Sequence, residues 1–388
     1  MKLFKLKEIF KQNLKKGLAK TYRFFGYKFY NKDAAYDFLK ERSIYRKISN
    51  PVKITKLVSF NGVTSAYFKE DRSIDFYPDQ VWKVAPDKGK EVIVRNSGSI
   101  LIDKIYLDLD FGYQSSLAEV NFKKQVVQEP LIAPWSHRWS GYYDYLIFVV
   151  AKLCRIEKAL EKIVWQDSLV YYPWLNSKFE QQILNHFDLA KDQFYRLPPK
   201  TDLKVAGSLI VGNNQKWYYP SPGDISLLRN KFLPREFNYP NPDIKIYIER
   251  KGRRGILNNN EVKRLIESFD IKTVILEDLT FDEQIQLFKD AGLIIGPHGA
   301  GFTNILWSAP GAHVIELFGQ GYFPPYFYYL SRILDLKYDC IVETGSAREN
   351  YKNLNNQITV DLKYLEKLLN QIHKHPINSK TLHSHPIA

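Results

Sequence analysis

The chain has 388 residues, 45% of them hydrophobic and 25% charged, with a net charge of +14. That composition excludes a disordered chain, and the length exceeds what one ordinary core organises, so two domains are expected. Two distant cysteines, Cys154 and Cys340, exclude a disulfide scaffold or a cysteine-ligated zinc site and fit a reducing cytosol, while the positive excess calls for an anionic partner: nucleic acid, anionic lipid or a phosphorylated ligand.

Residues 1–45 form a basic amino-terminal segment. Nine Lys or Arg and one acid, Glu8, fall between Met1 and Tyr30. Leu3, Leu6, Phe10, Leu14 and Leu18 recur every three or four residues among them, the spacing of a basic amphipathic helix. No apolar run approaches the roughly 20 residues that cross a bilayer. The segment reads either as a solvated helix packed on the protein or as an anchor on an anionic membrane surface, peripheral on the cytoplasmic face, and the anchor is the reading adopted.

Residues 46–238 are expected to form the first domain. Pro51 to Ser116 is strand-rich, with partial alternation in ILIDKIYLDLD over Ile100 to Asp110. Asp108 and Asp110 look like a metal-holding pair, yet residues two apart on a strand merely share a face; no metal is expected. APWSHRWSGYYDY, over Ala133 to Tyr145, then gathers His137, Arg138 and Asp144 before an apolar helix from Leu146 to Leu160. Groups at a helix start can bind sugar hydroxyls or move protons, and an acid there also stabilises the helix. Leu169–Tyr172, a helix over Ser177–Asp188 and an extended Leu203–Val211 follow, then a helix over Asp224–Phe232. Pro240-Asn-Pro242 marks the boundary.

Residues 239–365 alternate regularly. Strands are expected at Ile244–Ile248, Thr273–Leu276, Leu293–Ile295, His313–Phe318 and Tyr338–Val342. The intervening helices run over Asn260–Phe269, up to Ala291 from a Thr280/Glu283 capping box, and over Tyr326–Leu334. A last amphipathic helix, Leu362–Ile372, leads into a tail counted from residue 366 to 388. Such alternation gives a doubly wound parallel sheet with ligands at the carboxyl ends of its strands. The residues after those ends are Arg250, Arg253 and Arg254, whose guanidinium groups match phosphate oxygens, and the turn GPHGAG from Gly296 to Gly301. Glycines between strand and helix let a ligand approach the backbone and meet the positive end of a helix. His298, Asn304, Pro310-Gly311 and Glu316 complete a pattern more specific than the glycines alone.

GPHGAGFTNILWSAPGAHVIEL, preceded by YIERKGRRGILNNNEV, resembles the family 61 glycosyltransferases, densely over Tyr247–Phe318 and more loosely from Ala133 to Glu343. The resemblance implies an α/β protein of GT-B-like architecture, two facing Rossmann-like doubly wound domains with a strand-rich N-terminal part. It also implies an inverting transfer from a nucleotide sugar, UDP-linked, to a saccharide or lipid-linked saccharide acceptor in capsular or cell-surface polysaccharide synthesis, with no metal and no resident cofactor. Arg250 with Arg253 or Arg254, the pair Asn260-Glu261, and Gly296, His298, Gly299, Ala300, Gly301 and Asn304 match the family's donor side. Glu316 matches a carboxylate suited to ribose hydroxyls. Where many relatives carry a histidine, this chain has Asp144, so the base that takes the acceptor's proton is left among Asp144, His298 and His137. Two rivals stand beside the enzyme: a family member that binds donor without catalysis, and a basic nucleic-acid-binding protein. The second is set aside, because much of the excess charge lies in the first thirty residues rather than along a groove.

Overall fold

The computed structural model describes residues 17, 20–47, 51–54, 72–86, 89–110, 121, 123–135, 141–174, 176–215, 219–234, 244–250, 252–343 and 356–374. Most of the expected amphipathic helix, His137 and Arg138, and the Pro240 linker lie outside the described residues. The chain divides into two compact units. The amino-terminal unit takes Met1–Ser49, Tyr77–Ser140 and Asp144–Leu227; the carboxyl-terminal unit takes Asn50–Phe76, Gly141–Tyr143 and Leu228–Ala388. The passage at Leu227 falls inside the Pro222–Phe232 helix, upstream of the expected boundary at Pro240. Two short stretches from the first half of the chain also join the second unit, which sequence order could not show.

The carboxyl-terminal unit is built on one five-stranded sheet. Its order is Lys272–Val274, Ile244–Ile248, Ala291–Pro297, His313–Phe318, Lys337–Val342, and every neighbouring pair is parallel. Numbered along the chain this is 2-1-3-4-5, a doubly wound sheet whose direction of winding reverses between the Ile244 and Ala291 strands. The Ala291–Pro297 and His313–Phe318 strands are buried along their whole length, which explains their largely apolar runs. The Phe281–Asp290 helix starts at the expected box: Glu283 N donates to Thr280 Oγ1 at 3.3 Å and Thr280 N to Glu283 Oε2 at 2.7 Å. The Leu362–Lys374 helix buries Leu365, Leu368 and Leu369 in the same core as Tyr247, Ile295 and Ile315. Residues 366–374 are therefore part of the domain and not a tail.

The amino-terminal unit departs from the expected second parallel sheet. It holds two mixed sheets among the described residues, one of six strands and one of five. In the five-stranded sheet Leu169–Val170, Leu131–Ile132 and Leu209–Gly212 run parallel, and Asp79–Val84 and Ser43–Lys47 extend it antiparallel. The α/β class holds, but the doubly wound form belongs to the carboxyl-terminal unit alone. The expected Leu203–Val211 stretch is two strands, Thr201–Val205 and Leu209–Gly212, which enter different sheets. The break is at Gly207, where a Cβ would sit 2.7 Å from the Glu129 carbonyl oxygen. Likewise Ile100–Leu107 is a hairpin, turned by Asp103 and Lys104 at φ 44° and 63°, the left-handed pair that a two-residue hairpin needs. No described helix is long and apolar enough to cross a membrane.

Candidate active site

The reversal point of the carboxyl-terminal sheet gathers the distinctive residues of that unit. Ile248 ends one central strand and is followed by Arg250; Pro297 ends the other and is followed by His298. Arg250 Nη1 donates to the His298 carbonyl oxygen at 2.9 Å, tying the two strand ends together. Gly299 next to it is fully extended, so its backbone does not require glycine; the guanidinium does. A Cβ on Gly299 would meet Arg250 Nη1 and lie 2.8 Å from its Cζ. Gly296 has another reason, because a Cβ there would press on Ile248 Cβ at 2.9 Å and its carbonyl oxygen at 3.2 Å. It is a packing glycine between strands rather than a ligand contact.

The turn continues into the helix Ala300–Trp307, of 3-10 type, whose first bond runs from Phe302 N to the Gly299 carbonyl at 3.0 Å. The amides of Gly299, Ala300 and Gly301 open that helix, the place where backbone N–H groups lack internal acceptors. At its other end Arg229 donates to the carbonyl oxygens of Leu306 and Ser308, which fixes the helix axis. Asn304 is fully buried and engaged by protein: its Oδ1 accepts from Tyr142 Oη at 2.7 Å and Trp307 Nε1 at 3.1 Å, and its Nδ2 donates to Gln284 Oε1 at 2.7 Å. Matched to the donor-phosphate turn by sequence, Asn304 holds the turn in place.

Two cations converge here, and the carboxylate whose charge acts on Arg250, Glu277, is exposed. Arg254 adopts φ 62°, a left-handed backbone that a non-glycine residue rarely takes. Its Nε is buried without a hydrogen-bond partner, and its Cζ lies 6.0 Å from the Tyr322 ring centroid. Burial, and then the neighbouring Arg250 charge, bring its pKa down to about 10. Arg250 is lowered as well, chiefly by burial. Arg253, in contrast, is exposed, and its charge also lowers Arg250. Asn260 and Glu261 are exposed on the first turn of the Asn259–Glu267 helix. Their predecessors do the local structural work: Tyr247 Oη donates to Asn259 Oδ1 at 2.8 Å, and Asn258 Nδ2 to the Val360 carbonyl at 2.9 Å.

His298 and Glu316 form a buried pair. Glu316 Oε1 shares a hydrogen bond with His298 Nδ1, and Oε2 accepts from Tyr338 Oη. Both carboxyl oxygens are therefore taken by protein groups, not open to ribose hydroxyls as the motif suggested. Burial pushes the Glu316 carboxyl up to about 8, against the lowering effects of Tyr338 and Arg254. His298 is held well below its usual range by burial, then by the charges of Arg254 and Arg250. Burial thus disfavours the charged form of each partner, and one proton lies in the bond between Oε1 and Nδ1. A neutral pair would have Glu316 Oε1–H donating to Nδ1 and the histidine's proton on Nε2. Tyr338 was not singled out from the sequence; the polar Tyr338-Asp339-Cys340 at the start of an otherwise apolar strand was its only signal.

Asp144 belongs to the amino-terminal unit, in the first helical turn before Tyr145–Val150, a π-helical stretch that continues into Ala151–Ala159. Such wide turns occur preferentially at functional positions. Among the described residues the Asp144 side chain takes no hydrogen bond, and burial raises its pKa to about 7. Asp110, weighed as half of a metal pair, is buried in an ion pair with Lys152 at 2.7 Å. No group of three potential metal ligands occurs among the described residues.

Residues 135–315 match the family model "Glycosyltransferase 61", a match that spans Asp144, Arg250, Arg254 and His298 and stops one residue short of Glu316. A beta-1,2-xylosyltransferase of Oryza sativa subsp. japonica is 24% identical over 178 residues, 44% of this chain and 28% of its own. An EGF domain-specific O-linked N-acetylglucosamine transferase of Drosophila melanogaster is 32% identical over 84 residues, 20% of this chain and 16% of its own. A protein O-linked-mannose beta-1,4-N-acetylglucosaminyltransferase 2 of Mus musculus is 34% identical over 85 residues, 21% and 15% respectively. The matched segments span less than a third of the length of these relatives. Residues 135–315, just under half of the chain, are thus similar to the glycosyltransferase 61 family.

Proposed function

We propose that the protein is an inverting glycosyltransferase that moves a sugar from a UDP-linked donor to a saccharide or lipid-linked saccharide acceptor, in the assembly of a capsular or other cell-surface polysaccharide. The observation that carries the enzymatic reading is the convergence of Arg250 and the partner-seeking Arg254 with the Gly299–Gly301 amides at the reversal point of the sheet. Two desolvated guanidinium groups and open amides suit a diphosphate. The acceptor and product classes rest on the family resemblance. A GT-B-like division of labour belongs to the same proposal, with the carboxyl-terminal unit holding donor and the amino-terminal unit serving the acceptor.

The step is one in-line displacement. The acceptor oxygen attacks the anomeric carbon, the bond from that carbon to the phosphate oxygen breaks, and the acceptor's proton passes to a base. The departing diphosphate places its new charge on Arg250, Arg254 and the turn amides, so the step asks for no metal ion. Nε2–H makes His298 a donor suited to a phosphate oxygen, and therefore a poor base. The base role goes to Asp144, whose pKa of about 7 lets it be ionised and still accept a proton.

The test is a panel of nucleotide sugars incubated with the protein, with and without EDTA, read as free nucleotide diphosphate. One UDP-sugar should be consumed slowly without acceptor and equally well in EDTA. Tight binding of a nucleotide sugar with no turnover in the presence of any saccharide would favour the donor-binding reading. Loss of turnover on chelation, restored by manganese or magnesium, would refute the metal-free assignment.

A further inference from the structure

A surface on the amino-terminal unit has no role in that reaction. The helix that ends at Phe24 and Phe25 closes with a bonded reversal: Gly26 N donates to the Arg23 carbonyl at 3.0 Å and Tyr27 N to the Tyr22 carbonyl at 3.0 Å. Gly26 takes φ 81°, the left-handed conformation this closure requires. The apolar contact that accompanies the motif is present, with Tyr22 and Tyr27 rings edge to face at 5.2 Å. Those two rings and Phe29 pack on Ile93, Leu101 and Tyr106 of the six-stranded sheet. The helix end is thus riveted to a rigid body.

Phe24 and Phe25 are left pointing away from that rivet. They are 86% and 61% exposed, their rings stacked edge to face at 5.5 Å. Folding does not explain them, since the core contact is made by their neighbours on either side. Exposed cations flank the pair along the chain, Lys20, Arg23 and Lys28, and Lys104, also exposed, donates from Nζ to the Phe25 carbonyl at 3.4 Å. The first thirty residues hold nine Lys or Arg against one acid. Adjacent exposed aromatics flanked by cations match a boundary where apolar chains lie beneath negative headgroups.

We infer that the Phe24–Phe25 tip is a wedge that inserts into an anionic lipid surface, with Lys20, Arg23, Lys28 and Lys104 lying on the headgroups. An acidic protein would satisfy the cations but gives no reason for two rigidly presented, uncovered rings. The charge around the tip favours lipid over a second copy of this chain, which carries the same positive sign. This inference is independent of the transfer reaction and survives or fails without it.

The experiment is flotation of the full chain with phosphatidylcholine vesicles, with and without phosphatidylserine. The protein should float only with phosphatidylserine, and less in high salt. The double variant Phe24→Ser/Phe25→Ser should bind about tenfold more weakly or worse, with an unchanged unfolding midpoint, because both rings are outside the core. Phe24→Trp should bind as the parent does and add fluorescence that lipids with brominated chains quench. Equal flotation of the serine variant would overturn the wedge in favour of charge alone. No flotation of either protein would overturn it outright, and so would self-association that the serine variant relieves without any vesicle binding.

Discussion

Each unit buries a cluster of charge, and the two clusters are built on opposite principles. In the amino-terminal unit Lys152 pairs with Asp110 at 2.7 Å, and Arg155 lies between Asp224 and Asp79, the latter at 3.7 Å. Arg155 also donates to the Asn213 carbonyl at 2.9 Å, and Gln215 Nε2 to Asp79 at 2.6 Å. One nitrogen, Arg155 Nε, lacks an acceptor, yet every charge faces an opposite one. In the carboxyl-terminal unit the Arg250 charge helps to depress Arg254, and burial disfavours the charged form of the neighbouring acid, Glu316. The first cluster is closed and its energy goes into the fold. No ion pair closes the second among the described residues, a property that would suit the anionic donor proposed above.

The sharpest way to break this contrast is to remove one cation from each. Arg155→Ala leaves Asp79 and Asp224 buried without their cation and should cost about 3–5 kcal/mol of stability, seen in denaturant or thermal unfolding. Arg254→Gln should leave stability unchanged or raise it, while UDP-sugar affinity by calorimetry falls by about 10² or more. Equal destabilisation by both would mean that the second cluster is structural too.

Asp144→Asn should lower the transfer rate by about 10²–10⁴ with donor affinity held within a few-fold. Its stability effect has a definite sign. A carboxyl whose folded pKa is raised to about 7 contributes stability present below its unfolded pKa and lost as pH rises through 7. The asparagine removes that loss, so the variant should melt higher than the parent at pH 8. A lower melting point would assign Asp144 to the helix end instead.

Gly299→Ala is expected to be milder. The backbone there accepts any residue, but the methyl displaces the Arg250 guanidinium, and donor affinity should drop about tenfold to a hundredfold with little change in melting. An alanine variant that binds normally would show that Arg250 is not a phosphate ligand.

The smallest effect is in pH. The parent's kcat/KM should rise as Asp144 ionises near 7 and fall as Glu316 ionises near 8, when the carboxylate takes the proton onto Nδ1 and turns Nε2 from donor to acceptor. Glu316→Gln donates to Nδ1 and accepts from Tyr338 much as the protonated acid does. It should keep activity at pH 7 and lose only the alkaline limb; an unaltered alkaline limb would place that ionisation elsewhere.

Much of the carboxyl-terminal unit was legible in the chain because its central strands are buried on both faces and two of its helices carry their own caps, Thr280 and Asp361. Ile244–Ile248 and His313–Phe318 coincide with their apolar runs, and Thr280 caps the helix that its sequence announces. The amino-terminal unit was harder to read. Its sheets are mixed, Gly207 divides one apolar run between two of them, and Asp103-Lys104 makes a tight reversal without glycine or asparagine. Site residues were found where a motif carried them, but their roles were not. That Arg254 and not Arg253 turns inward depends on one left-handed backbone angle. That Glu316 is occupied depends on the register that brings the Lys337–Val342 strand, and Tyr338 with it, beside the His313–Phe318 strand.

The carboxyl-terminal unit draws on Asn50–Phe76 and Gly141–Tyr143 as well as everything from Leu228 on. Phe76 lies 6.5 Å, ring to ring, from Tyr329, and Tyr142 bonds to Asn304. On the ribosome these early stretches emerge long before the sheet they complete exists. They must wait, unsatisfied, through the synthesis of nearly the whole chain, while the amino-terminal unit has all of its residues by Leu227 and can condense first. A fragment beginning at Leu228 would never receive them: Asn304 would lose the Tyr142 hydroxyl. The carboxyl-terminal unit is thus not a separable module, and dissection of this protein into halves should yield one half that folds and one that does not.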